Sequence, residues 1–115
     1  MTITIYHNPR CSKSRQTLAL LEERGVAPQI VLYMQDTPTV SELKALLAKL
    51  GLTAQQLLRR KEAKARELGL TATDVSEDAV LAAMARHPEL IERPIVVRGN
   101  KARLGRPPET VLDIL

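Results

Sequence analysis

Apolar positions near the N-terminus follow first the period of a strand and then that of a helix. Residues 2–6, TITIY, alternate isoleucine with threonine, which predicts a short β-strand. Residues 12–24 carry leucines at helical spacing and are followed by Gly25, a residue that commonly ends helices. Residues 29–33, QIVLY, are almost continuously apolar and predict a second strand buried on both faces. Together they predict a strand–helix–strand unit with parallel strands and a right-handed crossover.

The middle of the chain is predicted to be helical. The segment from Thr39 to Glu42, TVSE, matches a capping box, in which each of the two side chains accepts a hydrogen bond from a backbone N–H at the helix start. Gly51 is predicted to end this helix. Its apolar stripe consists of Val40, Leu43, Leu46, Leu47 and Leu50. Three further short helices are predicted at 54–59, 63–68 and 77–86.

The last part of the chain predicts a β-hairpin followed by a closing helix. Residues 95–98, IVVR, form a strand, the pair Gly99-Asn100 favours a tight turn, and residues 102–104 return as the second arm. Residues 108–115 are predicted to form the closing helix. Its inward side chains are predicted to be Val111, Leu112 and Leu115.

The order of these elements predicts the fold class. A parallel strand–helix–strand unit, an antiparallel hairpin and a closing helix together give an α/β fold with a thioredoxin-like mixed sheet. We therefore predict a single domain over residues 1–115. Residues 1–37 and 93–115 form its core, and about 38–92 are a helical insert.

Composition narrows the classes of partner. The 17 Lys and Arg exceed the 13 Asp and Glu, a net charge of +4 that favours an anionic ligand. Two tyrosines and no Phe or Trp leave little on which bases could stack, so we expect a small anion rather than nucleic acid.

No stretch approaches the roughly 20 apolar residues of a membrane span, and no secretory signal is visible. We therefore expect a cytoplasmic protein with no membrane partner. His7 and His87 are too few for a metal site, so no metal is expected.

Cys11, the one cysteine of the chain, is predicted to lie where a loop meets the first helix. Unpaired backbone N–H groups and the helix dipole favour the thiolate there, and the thiolate is the nucleophilic form. The alternative is a buried structural cysteine, but the polar neighbours of Cys11 and its place at a helix start favour a reactive thiol. Further positive charge is expected nearby from Arg10, Lys13, Arg15 and His7.

Ser14 stands where a dithiol oxidoreductase would have its second cysteine. Because serine cannot resolve a mixed disulfide, turnover would need an external thiol such as glutathione or a glutaredoxin. Ser14 either donates a hydrogen bond to the sulfur or is an ordinary first-turn residue, and both remain open. A cysteine phosphatase loop is excluded, since it needs an arginine at the position of Thr17.

Three arginines are candidates for binding an oxyanion, because a guanidinium group matches tetrahedral oxyanions with two parallel hydrogen bonds. Arg93 precedes a proline and a buried strand, Arg106 follows the hairpin, and Arg59 ends an apolar helical turn. The alternative for each is a solvated surface residue, and spacing alone does not show that the three converge.

Four separated blocks, YHNPRCSKSR, LLRRKE, ERPIVV and ARLGRPPE, follow in order the pattern of the arsenate reductases that depend on glutathione and glutaredoxin. The chain resembles this family from Thr2 to its last residue, and a compact bacterial subgroup most closely. The resemblance implies the thioredoxin-like fold with the insert, Cys11 as catalytic nucleophile, and His7 as support for its ionisation. It also implies a cis-proline at Pro94 and three oxyanion-binding residues: Arg59, Arg93 and Arg106.

The resemblance further implies an activity, the reduction of arsenate to arsenite with glutathione as co-substrate, glutaredoxin as partner and no bound cofactor. One alternative is a monothiol reductase that acts on glutathione mixed disulfides or another substrate. Another is a non-enzymatic regulator that binds RNA polymerase, as relatives of this fold do. Such regulators typically carry C-x-x-C, whereas this chain has C-S-K-S.

Overall fold

The structure, a computed structural model, describes residues 2–115. These residues form two compact units, one made of the residues up to 36 together with 93–115 and the other of 37–92. That the whole chain is a single domain stays a prediction.

The first unit is built on a four-stranded sheet. Strands β1 (Ile3–Tyr6), β2 (Gln29–Val31), β3 (Ile95–Arg98) and β4 (Lys101–Leu104) lie in the order β2-β1-β3-β4. Strands β1 and β2 are parallel and joined by helix α1 (Ser12–Glu23), while β1–β3 and β3–β4 are antiparallel. This topology confirms the predicted α/β fold with a thioredoxin-like mixed sheet.

Strand β2 is less buried than predicted. It lies at the edge of the sheet, with only β1 beside it, and Ile30 is 47% exposed. Leu32 and Met34, which follow the strand, are also exposed, whereas Tyr33 is buried. The prediction of burial on both faces is wrong because an apolar run does not show whether its strand lies at the centre or the edge of a sheet.

The closing helix is a 3₁₀-helix, Pro108–Ile114, rather than an α-helix. With three residues per turn, side chains three apart lie on one face. Ile114 is therefore 5% exposed while Leu115 is 36% exposed, so the prediction that Leu115 points inward is wrong. The buried face consists of Pro108, Val111 and Ile114, of which Val111 was predicted. Val111 and Ile114 join the core of this unit, which also contains Ile5, Leu21 and Val96.

The number of residues per turn in the closing helix can be tested by two substitutions to alanine. Ile114→Ala should lower the free energy of unfolding by about 2–4 kcal/mol, because it removes buried apolar atoms and leaves a cavity. Leu115→Ala should cost less than about 0.5 kcal/mol, because its side chain is partly solvated already. Urea unfolding measures both changes. Equal losses in the two variants would contradict the 3₁₀ assignment.

The second unit is helical. It contains α2 (Val40–Leu50), α3 (Ala54–Leu57), α4 (Ala63–Glu67) and α5 (Glu77–Arg86), followed by a short 3₁₀-helix, Pro88–Leu90. Helix α5 packs against α2 and α3. None of the helices in the described part of the chain combines the length and the apolar character needed to cross a bilayer.

The predicted start and end of α2 are both confirmed. The Thr39 hydroxyl accepts from the backbone N–H of Glu42 at 3.1 Å, and the Glu42 carboxylate accepts from that of Thr39 at 3.2 Å. Gly51 ends the helix in the left-handed conformation, with φ 69°. These two features depend on short-range sequence rules, which is why the sequence predicts them well.

Candidate active site

Cys11 occupies the N-cap of α1, directly after the loop that follows β1. Its backbone is extended, with φ −94° and ψ 123°, and its carbonyl accepts from the N–H of Arg15 at 3.0 Å. An N-cap side chain faces the N–H groups of the second and third helical residues, here Lys13 and Ser14. The side chain of Cys11 therefore extends from the N-cap position, although the sulfur makes no capping hydrogen bond there.

The environment of the sulfur favours the thiolate. Burial raises the pKa of Cys11, which is 8% exposed, but this effect is outweighed. The backbone N–H of Ser14, the positive charge of Arg93, the N–H of Lys13 and a hydrogen bond from Arg93 together hold the pKa of Cys11 below its ordinary value. The thiol is buried, as a structural cysteine would be, yet its surroundings are those of a nucleophile.

His7 and Ser14, a residue in the first turn of α1, form a buried polar pair. His7 Nδ1 lies 2.6 Å from Ser14 Oγ, which also accepts from the backbone N–H of Asn8 at 3.0 Å. Burial, and secondarily the charge of Arg15, lower the pKa of His7. The imidazole is therefore neutral near pH 7, and the prediction that His7 adds positive charge is wrong. The Ser14 hydroxyl is placed against His7, and it is the Ser14 backbone N–H that acts on the sulfur.

The buried neutral histidine predicts a loss of stability in acid. Because the folded-state pKa of His7 is lowered, the unfolded chain binds the proton more tightly. The stability should be intact above the ordinary histidine pKa of about 6.5 and should fall as the pH drops through the folded-state value. We expect the urea midpoint to fall less between about pH 7 and pH 5 in His7→Gln than in the unsubstituted protein. The control is His87→Gln, which replaces a half-buried histidine outside this site that lies 3.5 Å from the Glu89 carboxylate, and its loss should be larger than that of His7→Gln. An unchanged loss in His7→Gln would refute this assignment.

Arg93 and Arg106 lie in the same unit as Cys11 and close to each other. The guanidinium of Arg106 donates from Nη1 to the Arg93 carbonyl at 3.4 Å, and the N–H of Gly105 donates to the Pro94 carbonyl at 2.9 Å. The Arg93–Pro94 peptide bond is cis, the isomer that the resemblance implied, and so is Arg106–Pro107. The structure therefore brings together the sulfur and Arg93, with Arg106 beside the Arg93 backbone.

Arg59 lies in the second unit, in an acidic setting. Its Nη1 donates to the Glu89 carbonyl at 3.2 Å, and its guanidinium pairs with Glu62 at 3.4 Å and with Glu92 at 3.6 Å. An isolated bridge between Leu58 and Ile91 holds the adjoining backbone segments together. Its role as an oxyanion ligand stays a prediction.

Two residues beside the site carry no recognisable motif. Thr17, one turn into α1, and Gly105, just after β4, are both buried, and a Cβ at Gly105 would lie 2.5 Å from Thr17 Oγ1. The sequence hints at this pair of residues only through the glycine that directly precedes Arg106.

Within residues 2–115, no three His, Cys, Asp or Glu side chains are grouped as a metal site requires.

Comparison with known proteins identifies the family. The profile of the ArsC family matches residues 6–114. An arsenate reductase of Haemophilus influenzae is 50% identical over 116 residues, with all of both chains covered. The uncharacterized protein YfgD of Escherichia coli K12 is 52% identical, covering 98% of this chain and 96% of its own. The solved structure of an arsenate reductase from Vibrio cholerae superposes with a TM-score of 0.97 at 56% identity, covering 100% of this chain and 98% of that one. This chain therefore belongs to the ArsC family.

Proposed function

We propose that this protein is an arsenate reductase in which Cys11 is the single nucleophile and glutathione with glutaredoxin supplies the electrons. The observation that carries the proposal is the position of Cys11 at the start of α1, with the Arg93 guanidinium acting on its sulfur. A thiolate next to a permanently charged anion-binding group is what attack on an oxyanion requires. The names of the Haemophilus influenzae and Vibrio cholerae relatives support arsenate as that oxyanion.

Arsenate binds through its oxygens to guanidinium groups. Arg93 and Arg106 supply planar, permanently charged forks that match a tetrahedral oxyanion. The resemblance adds Arg59 as a third ligand. Arg93 has a second role, because its charge also favours the thiolate of Cys11. The same group therefore binds the substrate and activates the nucleophile.

In the first step the Cys11 thiolate attacks arsenic. A sulfur–arsenic bond forms, one arsenic–oxygen bond breaks, and the departing oxygen takes up protons and leaves as water. Arsenic remains pentavalent in this covalent adduct. The guanidinium groups stabilise the charge on the remaining oxygens, which is where the negative charge develops during attack.

In the second step arsenic is reduced. A glutathione thiolate attacks the Cys11 sulfur, a disulfide bond forms between them, and the electron pair of the sulfur–arsenic bond stays on arsenic, which leaves as arsenite. A glutaredoxin thiol then attacks the mixed disulfide, takes the glutathione and returns Cys11 as a thiolate. Cys11 is the one cysteine of the chain and is free, so the second thiol comes from outside. A cytoplasmic location follows, since glutathione keeps thiols reduced there.

The proposal is tested by the coupled oxidation of NADPH with glutathione reductase present. Oxidation should require arsenate, glutathione and glutaredoxin together, and mass spectrometry of the protein during turnover should find glutathione on Cys11. Oxidation driven by a glutathionylated peptide but not by arsenate would replace the proposal with a monothiol reductase. A protein inactive in both assays that co-purifies with RNA polymerase would instead be a regulator.

A further inference from the structure

We propose that Gly105 and Thr17 are positioning residues. Their direct contact fixes the positions of Arg93 and Arg106 relative to the Cys11 sulfur. The part of this inference that concerns substrate binding rests on the proposed function. The part that concerns the thiol needs no substrate, because it rests on the close approach of Gly105 to Thr17 and on the effect of Arg93 on the sulfur.

On the helix side, the contact is made by a rigid residue. Thr17 is fully buried, and its Oγ1 donates to the Lys13 carbonyl at 2.8 Å, which fixes the orientation of its side chain. Lys13 is also one of the two residues whose N–H groups act on the Cys11 sulfur. Thr17 therefore belongs to the same turns of α1 that hold the nucleophile.

On the strand side, the contact leaves no room for a side chain. A Cβ at Gly105 would lie 2.5 Å from Thr17 Oγ1, 2.8 Å from Pro94 Cγ and 3.1 Å from Thr17 Cγ2. The glycine is required by space and not by backbone conformation, since its φ is not positive. Gly25 is the opposite case, with φ 76° and open space where a Cβ would lie.

The two arginines flank this contact along the chain. Arg93 directly precedes Pro94, Arg106 directly follows Gly105, and the two segments are tied by the bond from Gly105 N–H to the Pro94 carbonyl. A group inserted between α1 and this pair of segments displaces both arginines together. Because a misplacement of about 1 Å can cost on the order of 10²-fold in rate, the contact controls chemistry that it does not itself touch.

The test is Gly105→Ala, read out by the pH dependence of Cys11 alkylation with iodoacetamide. We expect the midpoint of that profile to move upward by about half a pH unit or more, because Arg93 moves away from the sulfur. The KM for arsenate should rise about tenfold, because a displaced arginine binds the anion less well. The control is Gly25→Ala, which should lower stability through backbone strain and leave the alkylation profile unchanged. A folded Gly105→Ala protein with the unsubstituted profile would overturn the inference.

A second substitution tests whether Thr17 is the residue with which a Cβ at position 105 clashes. Adding Thr17→Ala to Gly105→Ala removes two of the three close contacts, and the third, Pro94 Cγ, can move by a change of ring pucker. The double variant should therefore have an alkylation profile closer to that of the unsubstituted protein than Gly105→Ala has. If Gly105→Ala alone does not fold, recovery of folding in the double variant supports the contact, and a double variant that is also unfolded overturns it.

The alkylation assay contains no arsenate, so the two proposals can fail separately. A shifted profile in a protein that reduces no arsenate would leave the positioning role in place and refute the proposed function. An unshifted alkylation profile in a protein that reduces arsenate would refute the positioning role and leave the proposed function in place.

Discussion

Cys11→Ser should abolish arsenate-dependent NADPH oxidation, with a loss on the order of 10³-fold or more. A serine hydroxyl stays protonated in surroundings that ionise a thiol, so the first attack on arsenic is lost. The second step is lost as well, because oxygen cannot form the disulfide through which glutathione reduces arsenic. Initial rates in the coupled assay measure the effect, and mass spectrometry should find no glutathione on the variant.

Ser12→Ala is the matched control for this substitution. Ser12 is exposed and follows Cys11 directly, and its side chain is assigned no part in the reaction. It should retain nearly all of the activity. A Cys11→Ser protein with the activity of Ser12→Ala would remove the proposed mechanism, because the chain has no other thiol.

Arg93→Ala should lower kcat/KM for arsenate by on the order of 10²-fold and raise the thiol pKa of Cys11. The first effect follows from losing a charged donor to the oxyanion, which costs about 3 kcal/mol in comparable sites. The second follows because Arg93 lowers the pKa of Cys11 both by its charge and by a hydrogen bond. Steady-state kinetics and the pH profile of Cys11 alkylation measure the two effects independently.

Two further arginine variants separate these roles. Arg93→Lys keeps the charge and loses the planar fork, so it should restore much of the thiol pKa and little of the arsenate binding. Arg106→Ala should weaken arsenate binding with a smaller change in the thiol pKa than Arg93→Ala, because Arg93 is the guanidinium that acts on the sulfur. An Arg93→Ala protein with an unchanged alkylation profile would show that the thiolate is held by the helix N–H groups alone.

The features that the sequence predicted correctly are those that neighbouring residues decide. The capping box of Thr39 and Glu42, the helix end at Gly51 and the Gly99-Asn100 hairpin turn each depend on a few adjacent side chains. The position of Cys11 at a helix start is of the same kind, since the strand before it and the leucines after it mark the junction. Because the helix start can be predicted from neighbouring residues, so can the position of the cysteine that depends on it.

The features that the sequence missed depend on residues far apart in the chain. The exposure of Ile30 depends on which strand lies beside β2, and the neutral state of His7 on how deeply the fold buries it. The inward face of the closing helix depends on its 3₁₀ period, which an apolar pattern of a few residues does not distinguish from an α-helical one. The contact between Thr17 and Gly105 joins residues from opposite ends of the chain and has no local pattern.

The central claim is that the folded protein holds the Cys11 sulfur as a thiolate, and its most direct test is a titration of that one thiol by ultraviolet absorbance. The folded protein should titrate below the ordinary cysteine pKa of about 8.5, and the same chain unfolded in urea should titrate near that value. The chain has one cysteine, so the Cys11→Ser protein is the blank that subtracts the absorbance of the two tyrosines. A folded-state midpoint at or above that of the unfolded chain would contradict the account.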